Sequence, residues 1–198
     1  MSFTDKHLVL ADIQMEVRSV SIRTLGAYAE SLGIRTTLLM IIKTLARIGK
    51  PVVFSDSEIR KIVDFLKREK VTHLGFYLMT ASFKPYKFLV EALRRHGFDG
   101  VIMAGGIHVA LRPEESLVEG ADFAVQGPGE LPLKMILEGA PPPSIPGLVW
   151  RKDGKTVLNP QSRLQAPDLD KAPFPIFRYK QDVVLLDGKI RPFTWKIQ

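Results

Sequence analysis

Apolar residues in this chain fall into short β-branched runs alternating with longer stretches at helical spacing. Residues 7–12 (HLVLAD) form the first run and read as a strand. Over 19–32, Ile22, Leu25, Ala29 and Leu32 recur at helical spacing, with Gly33 placed as a C-cap. Residues 34–42 (IRTTLLMII) are apolar and β-branched, giving a second strand. After a loop over 43–54, Ser55 and Glu58 form a capping-box pair, and a helix follows to about Lys70. Residues 72–79 form strand three and 83–96 a helix, with Pro85 tolerated in its first turn and Gly97 as its stop. Strand four is 100–104, a short helix covers 113–119, strand five is 122–126, and a last helix runs over 129–138 to Gly139.

This is βα repeated five times. The central strands are continuously apolar, as expected when helices cover both faces of a sheet. Right-handed crossovers then predict an α/β fold: a flavodoxin-like (Rossmann-like), doubly wound five-stranded parallel sheet in the order 2-1-3-4-5. The domain reading is 1–139 for this unit. Residues 140–198 are a Pro-rich linker with hairpins turning at Asp153-Gly154 and Asp187-Gly188. That segment is too small for a core of its own and should lean on the sheet or on another domain. Trp150, Phe174, Phe177 and Phe193 read as its packing anchors.

Composition narrows the chemistry. The chain has 198 residues, 45% hydrophobic and 25% charged, as in soluble globular proteins. It has neither a secretory-signal pattern nor an apolar run long enough for a membrane, so a cytoplasmic location is expected, with no membrane partner. There is no cysteine. That excludes disulfides, a Cys nucleophile and Cys-ligated iron–sulfur clusters within the chain, and the four histidines lack metal-ligand spacing. Lys and Arg exceed Asp and Glu by 28 to 21, a net charge of +7. The basic residues Lys61, Lys67, Arg68 and Lys70 share a helix with an apolar face of Ile59, Ile62, Val63 and Leu66. They read as a solvated face rather than a nucleic-acid surface. No catalytic triad, carboxylate pair or metal site is predicted.

Ligands of open α/β sheets bind outside the carboxyl ends of the strands. The loops expected there are Asp12-Ile13-Gln14, then Leu78-Met79-Thr80-Ala81-Ser82, Gly105-Gly106-Ile107-His108 and Gly127-Pro128-Gly129-Glu130. A double glycine lets backbone approach a ligand, and the hydroxyls of Thr80 and Ser82 suit a polar tail. Glycine spacing alone does not choose between a ligand cradle and a tight βα turn, and no phosphate-loop pattern is present. His108 reads as a polar loop residue, and Glu130 as support for a helix start.

The ordered set MAGGIHVALRPEESLVEGADFAVQGPGELPL, PGLVWRKDGKTV and LDKAPFP resembles the N-terminal cobalamin-binding region of B12-dependent radical SAM enzymes. The resemblance implies a flavodoxin-like module holding cobalamin across the strand ends. The nucleotide tail would lie between Leu78–Ser82 and Gly105–His108, with Gly127–Glu130 beside it. It implies methyl transfer or rearrangement by the full-length enzyme, in which a C-terminal radical SAM domain holds a 4Fe–4S cluster and S-adenosylmethionine. Two features depart from known patterns. Classical cobalamin modules carry D-x-H-x-x-G after strand one, but here Gln14 and Val17 replace His and Gly. An amide is a poor cobalt ligand beside imidazole, so a histidine-off cobalamin is expected. The C-x-x-x-C-x-x-C of the radical SAM domain is also absent, so the chain is read as a module cut before its catalytic partner and not itself catalytic. The alternatives are a flavodoxin-like regulatory or interaction domain with no cofactor, and a small nucleotide- or flavin-binding enzyme.

Overall fold

The computed structural model describes residues 5–13, 19–43, 52–161, 173–176, 181–186 and 188–193. Gln14, Asp187, Phe177 and most of the Pro-rich stretch after 160 lie outside the described residues.

Strand β1 (His7–Ile13) is buried along its whole length, as its uninterrupted apolar run requires. It pairs in parallel with β2 (Arg35–Ile42) on one side and β3 (His73–Tyr77) on the other. Next come β4 (Val101–Gly105) and β5 (Phe123–Val125), both parallel. The five central strands therefore stand in the expected order 2-1-3-4-5, and the fold is the expected mostly parallel α/β sheet.

The sheet is wider than five strands. Beside β5 lies an antiparallel hairpin of β6 (Leu148–Lys152) and β7 (Lys155–Leu158). It turns at Asp153-Gly154 with φ of 50° and 75°, the positive pair of a type I′ turn. At the opposite edge β8 (Val183–Leu186) pairs in parallel with β2, and β9 (Lys189–Pro192) closes that edge antiparallel to β8. The complete order is β7-β6-β5-β4-β3-β1-β2-β8-β9. Short β9, with Lys189, Arg191 and Pro192, is a poor template for further pairing.

Strand alternation divides the core into two layers. Val9, Ala11, Leu74 and Phe76 face α2 (Asp56–Arg68) and α3 (Phe83–Arg95), meeting Ile62, Leu66, Tyr86 and Leu89. Leu8, Leu10, Leu38 and Met103 face α1 (Val20–Ser31) and α6 (Glu130–Glu138), meeting Ile22, Ala29, Leu133 and Leu137. The α2 capping box forms as its sequence predicts: Glu58 N donates to Ser55 Oγ at 3.3 Å and Ser55 N donates to Glu58 Oε2 at 2.8 Å.

Between β4 and β5 the helical segment differs from expectation. It consists of two short pieces, α4 (Ile107–Leu111) and α5 (Pro113–Ser116). Pro113 separates them because its ring cannot extend the preceding helix. Of the predicted packing anchors, Phe193 is buried and Trp150 donates from Nε1 to Asn159 Oδ1 at 3.0 Å. Phe174 is 91% exposed and is not packed as an anchor among the described residues. No helix among the described residues is long and apolar enough to cross a membrane.

Candidate functional site

Parallel strands bring the carboxyl ends of β1, β3, β4 and β5 to one edge. There α1 and α6 stand apart enough to leave a cavity of about 450 Å³. Leu10, Gly75, Met103 and Val125 form its sheet side, while Ile22 and Leu25 from α1 and Leu133 from α6 form its walls. The lining is mainly apolar, with Ser21, Thr24, Tyr77 and Glu130 as its polar side chains. Such a volume, apolar with a few polar groups, is that of a small-molecule site.

Glycines shape this space in different ways. A Cβ on Gly75 would sit 2.9 Å from Leu10 Cδ2, so the sheet side of the cavity is as low as the strands allow. A Cβ on Gly105 would meet nothing nearer than the Val125 carbonyl at 4.0 Å; the room above it belongs to the cavity. Gly106 is constrained by its own loop. Its φ is +107°, and a Cβ would lie 2.8 Å from the Tyr77 ring and 2.9 Å from the Leu78 carbonyl. The loops after β3 and β4 are stitched together by Leu78 N donating to Gly105 O at 2.8 Å and His108 N to Leu78 O at 3.0 Å.

Of the residues singled out from sequence, Gly105, Gly106, Gly127, Pro128, Gly129 and Glu130 come together around the cavity. Asp12 and Ile13 are buried at the end of β1 and are not in its lining. Residues 78–82 also stand outside that lining. Ser82 is turned inward: its Oγ accepts from Met79 N at 3.1 Å and donates to Met79 O at 2.9 Å. Thr80 Oγ1 lies 3.4 Å from His108 Nδ1. His108 is buried, its ring centroid 4.5 Å from that of Phe83, and its Nε2 has no hydrogen-bond partner among the described residues.

Sequence reasoning missed the wall supplied by α1. Ser21, Thr24 and Leu25 lie on a helix read only for its core stripe, and Tyr77 looks like an ordinary strand residue. The one available clue was positional, since both α1 and Tyr77 adjoin strand carboxyl ends. The same edge carries exposed apolar side chains. Val20, Met79, Ile107, Leu111 and Leu131 all follow the carboxyl ends of strands, an apolar rim of the kind that marks a binding surface.

An open flavodoxin-like sheet with an apolar cavity at its switch-point edge defines a small-molecule-binding α/β protein. Residues 6–137, about two thirds of the chain, match the B12 binding domain family, and the chain belongs to that family. No curated protein matches it. Family membership supports cobalamin as the ligand, and the cavity fits part of one. Its apolar depth suits a flat nucleotide base, Gly105 leaves room for it, and the apolar rim suits a corrin macrocycle.

Proposed function

We propose that this chain is the cobalamin-binding module of a B12-dependent radical SAM enzyme, holding the cofactor histidine-off. The observation that carries the reading is the cavity over Gly105, open at the edge where the apolar rim stands. Gly105, Gly106 and Gly127–Glu130 would border the nucleotide tail between α1 and α6, and Met79, Ile107 and Leu131 would offer apolar surface to the corrin. When bound, cobalamin supplies a cobalt centre able to accept and donate a methyl group. The residues of this chain bind it, orient it and keep water from its tail.

The module is cytoplasmic in this reading. Residues 1–139 bind the cofactor, and the segment from 140 leads toward a radical SAM domain that holds the 4Fe–4S cluster and S-adenosylmethionine. The resemblance of the GG-x-H, G-x-GE and LD-x-x-P-x-P segments supports that context.

Reconstitution with hydroxocobalamin tests the proposal. The purified chain should retain the corrin absorbance at about one equivalent, and failure to retain it would leave a cofactor-free interaction domain of the same fold. Gly105→Leu should fold normally, because its Cβ meets open space, and should lose the corrin by filling the cavity. Retention by that variant would remove the tail from this site. Electron paramagnetic resonance of the bound cob(II)alamin form should lack nitrogen splitting from a lower ligand; a histidine-type splitting would overturn the histidine-off assignment.

A further inference from the structure

Arg23 is fully buried, an unusual position for an arginine, and lies on α1, the helix that walls the cavity. It is turned away from the cavity. Its Nη1 donates to the Ile176 carbonyl at 2.9 Å and lies 3.6 Å from Asp182 Oδ2, and its Nη2 reaches Met40 Sδ at 3.5 Å. Its guanidinium carbon also stands 5.6 Å from the centroid of the Phe193 ring. Asp182 is equally buried. Its Oδ1 accepts from Leu38 N at 3.2 Å, and its own carbonyl accepts from Phe193 N at 2.8 Å. Gly26 brings the same helix close to the same segment, since a Cβ there would lie 3.5 Å from Ile176 Cδ1 and 3.1 Å from Leu38 Cδ2.

Helix α1 is thus held between two things. On one side is the cavity; on the other are Ile176, Asp182 and Phe193, which lie beyond the stretch matching the family. We propose that Arg23 and Asp182 are positioning residues for cobalamin: the brace they form sets where α1 stands, and so the width of the cavity. Cofactor binding and the docking of the β8–β9 pair with Asp182 are then energetically coupled, each favouring the other, as linkage requires. Any domain joined after β9 would feel the state of the cavity through this brace. The ligand side of the proposal rests on the cobalamin reading above.

The test uses the full chain with hydroxocobalamin and hydrogen exchange. Asp182→Asn keeps the side-chain shape and an acceptor for Leu38 N while removing the charge opposite Arg23. Because neutralising one member of a buried ion pair can prevent folding, Arg23→Met combined with Asp182→Asn removes both charges and decides the matter where the single variant fails to fold. The control is Asp122→Asn, a partly exposed carboxylate just ahead of β5, across the sheet from β8. There Asp122 Oδ2 likewise accepts from an arginine (Arg94, 2.7 Å) and from a backbone amide (Ile102, 2.7 Å).

The brace variants should exchange the amides of α1 faster without cofactor and bind hydroxocobalamin about tenfold more weakly, while the control does neither. In the wild type, hydroxocobalamin should slow exchange at 183–186. Unchanged α1 exchange, unchanged affinity despite faster exchange, an equal loss in the control, or no protection at 183–186 on binding would each overturn the coupling. A wild type that binds no hydroxocobalamin would sink the cobalamin reading instead, and the exchange of α1 without cofactor would then decide whether the brace positions that wall.

Discussion

Gly105 and Gly106 are adjacent and lack side chains for different reasons. The first leaves the cavity open, and the second satisfies a left-handed backbone packed on Tyr77. The pair is visible in the sequence, but the division of labour is not, because it depends on what β3 and β5 place opposite each residue. Thr80 and Ser82 show the reverse problem. Their hydroxyls look available in sequence, yet Ser82 spends its own on the turn at Met79. The titratable residues with consequences for stability lie at the other end of the strands. Burial, aided by the nearby Lys6 charge, lowers the His73 pKa from 6.5 to about 4. Burial lowers the pKa of His7 as well, although its Nδ1 lies 2.9 Å from the Glu69 carbonyl and its Nε2 2.9 Å from Thr37 Oγ1. Both rings are therefore neutral in the folded chain when the unfolded chain begins to take up protons. Their contribution is fully present above the unfolded value of 6.5 and is lost as pH falls below it, for His73 down to about 4. For His73 the displacement corresponds to roughly 3 kcal/mol. Urea unfolding followed between about pH 7.5 and 4.5 should show this loss, and His73→Leu should flatten part of it. An unchanged slope in the variant would rule His73 out as its source.

At the scale of elements, the sequence was most informative where the signal is local. The α2 capping box, the Asp153-Gly154 turn and the buried β1 run each depend on residues within a few positions of one another, and each is present. The parallel order of the five central strands was legible for a related reason: βα repeats and right-handed crossovers leave few arrangements. Two features were not legible. Helix α4 begins directly after Gly106, where a glycine pair reads as a turn, ahead of the helix that Pro113 opens as expected. The apolar sequence of β8 says that it is buried but not which edge it joins. Its partner β2 is far away in sequence, and the choice is made by Asp182 beside Leu38 and by Val184 packing with Met40. The cavity was half legible. Glycine loops marked the β4 and β5 side, whereas the α1 wall needed knowledge of how that helix lies on the sheet.

For the whole molecule, the family match ends at residue 137 but the sheet does not. The later residues supply strands at both edges, and the β8–β9 pair with the residue after it contributes three buried apolar side chains, Val184, Leu185 and Phe193. Burying each such side chain is worth about 1.5–3 kcal/mol. Removing the pair also takes Asp182 from the buried Arg23, and uncovering one member of a buried ion pair costs a further 3–5 kcal/mol, roughly. These losses are comparable with the about 5–15 kcal/mol by which a domain is stable at all. They also expose β2 as an edge, with Leu39, Met40, Ile41 and Ile42 in sequence along it. A chain ending at Gln161 should therefore melt at least about 10 °C below the full chain, or self-associate on size-exclusion chromatography. Were it to melt like the full chain and remain monomeric, the family-matched part would be self-sufficient, and β8 and β9 would be an appended arm rather than part of the fold that holds α1 against the cavity.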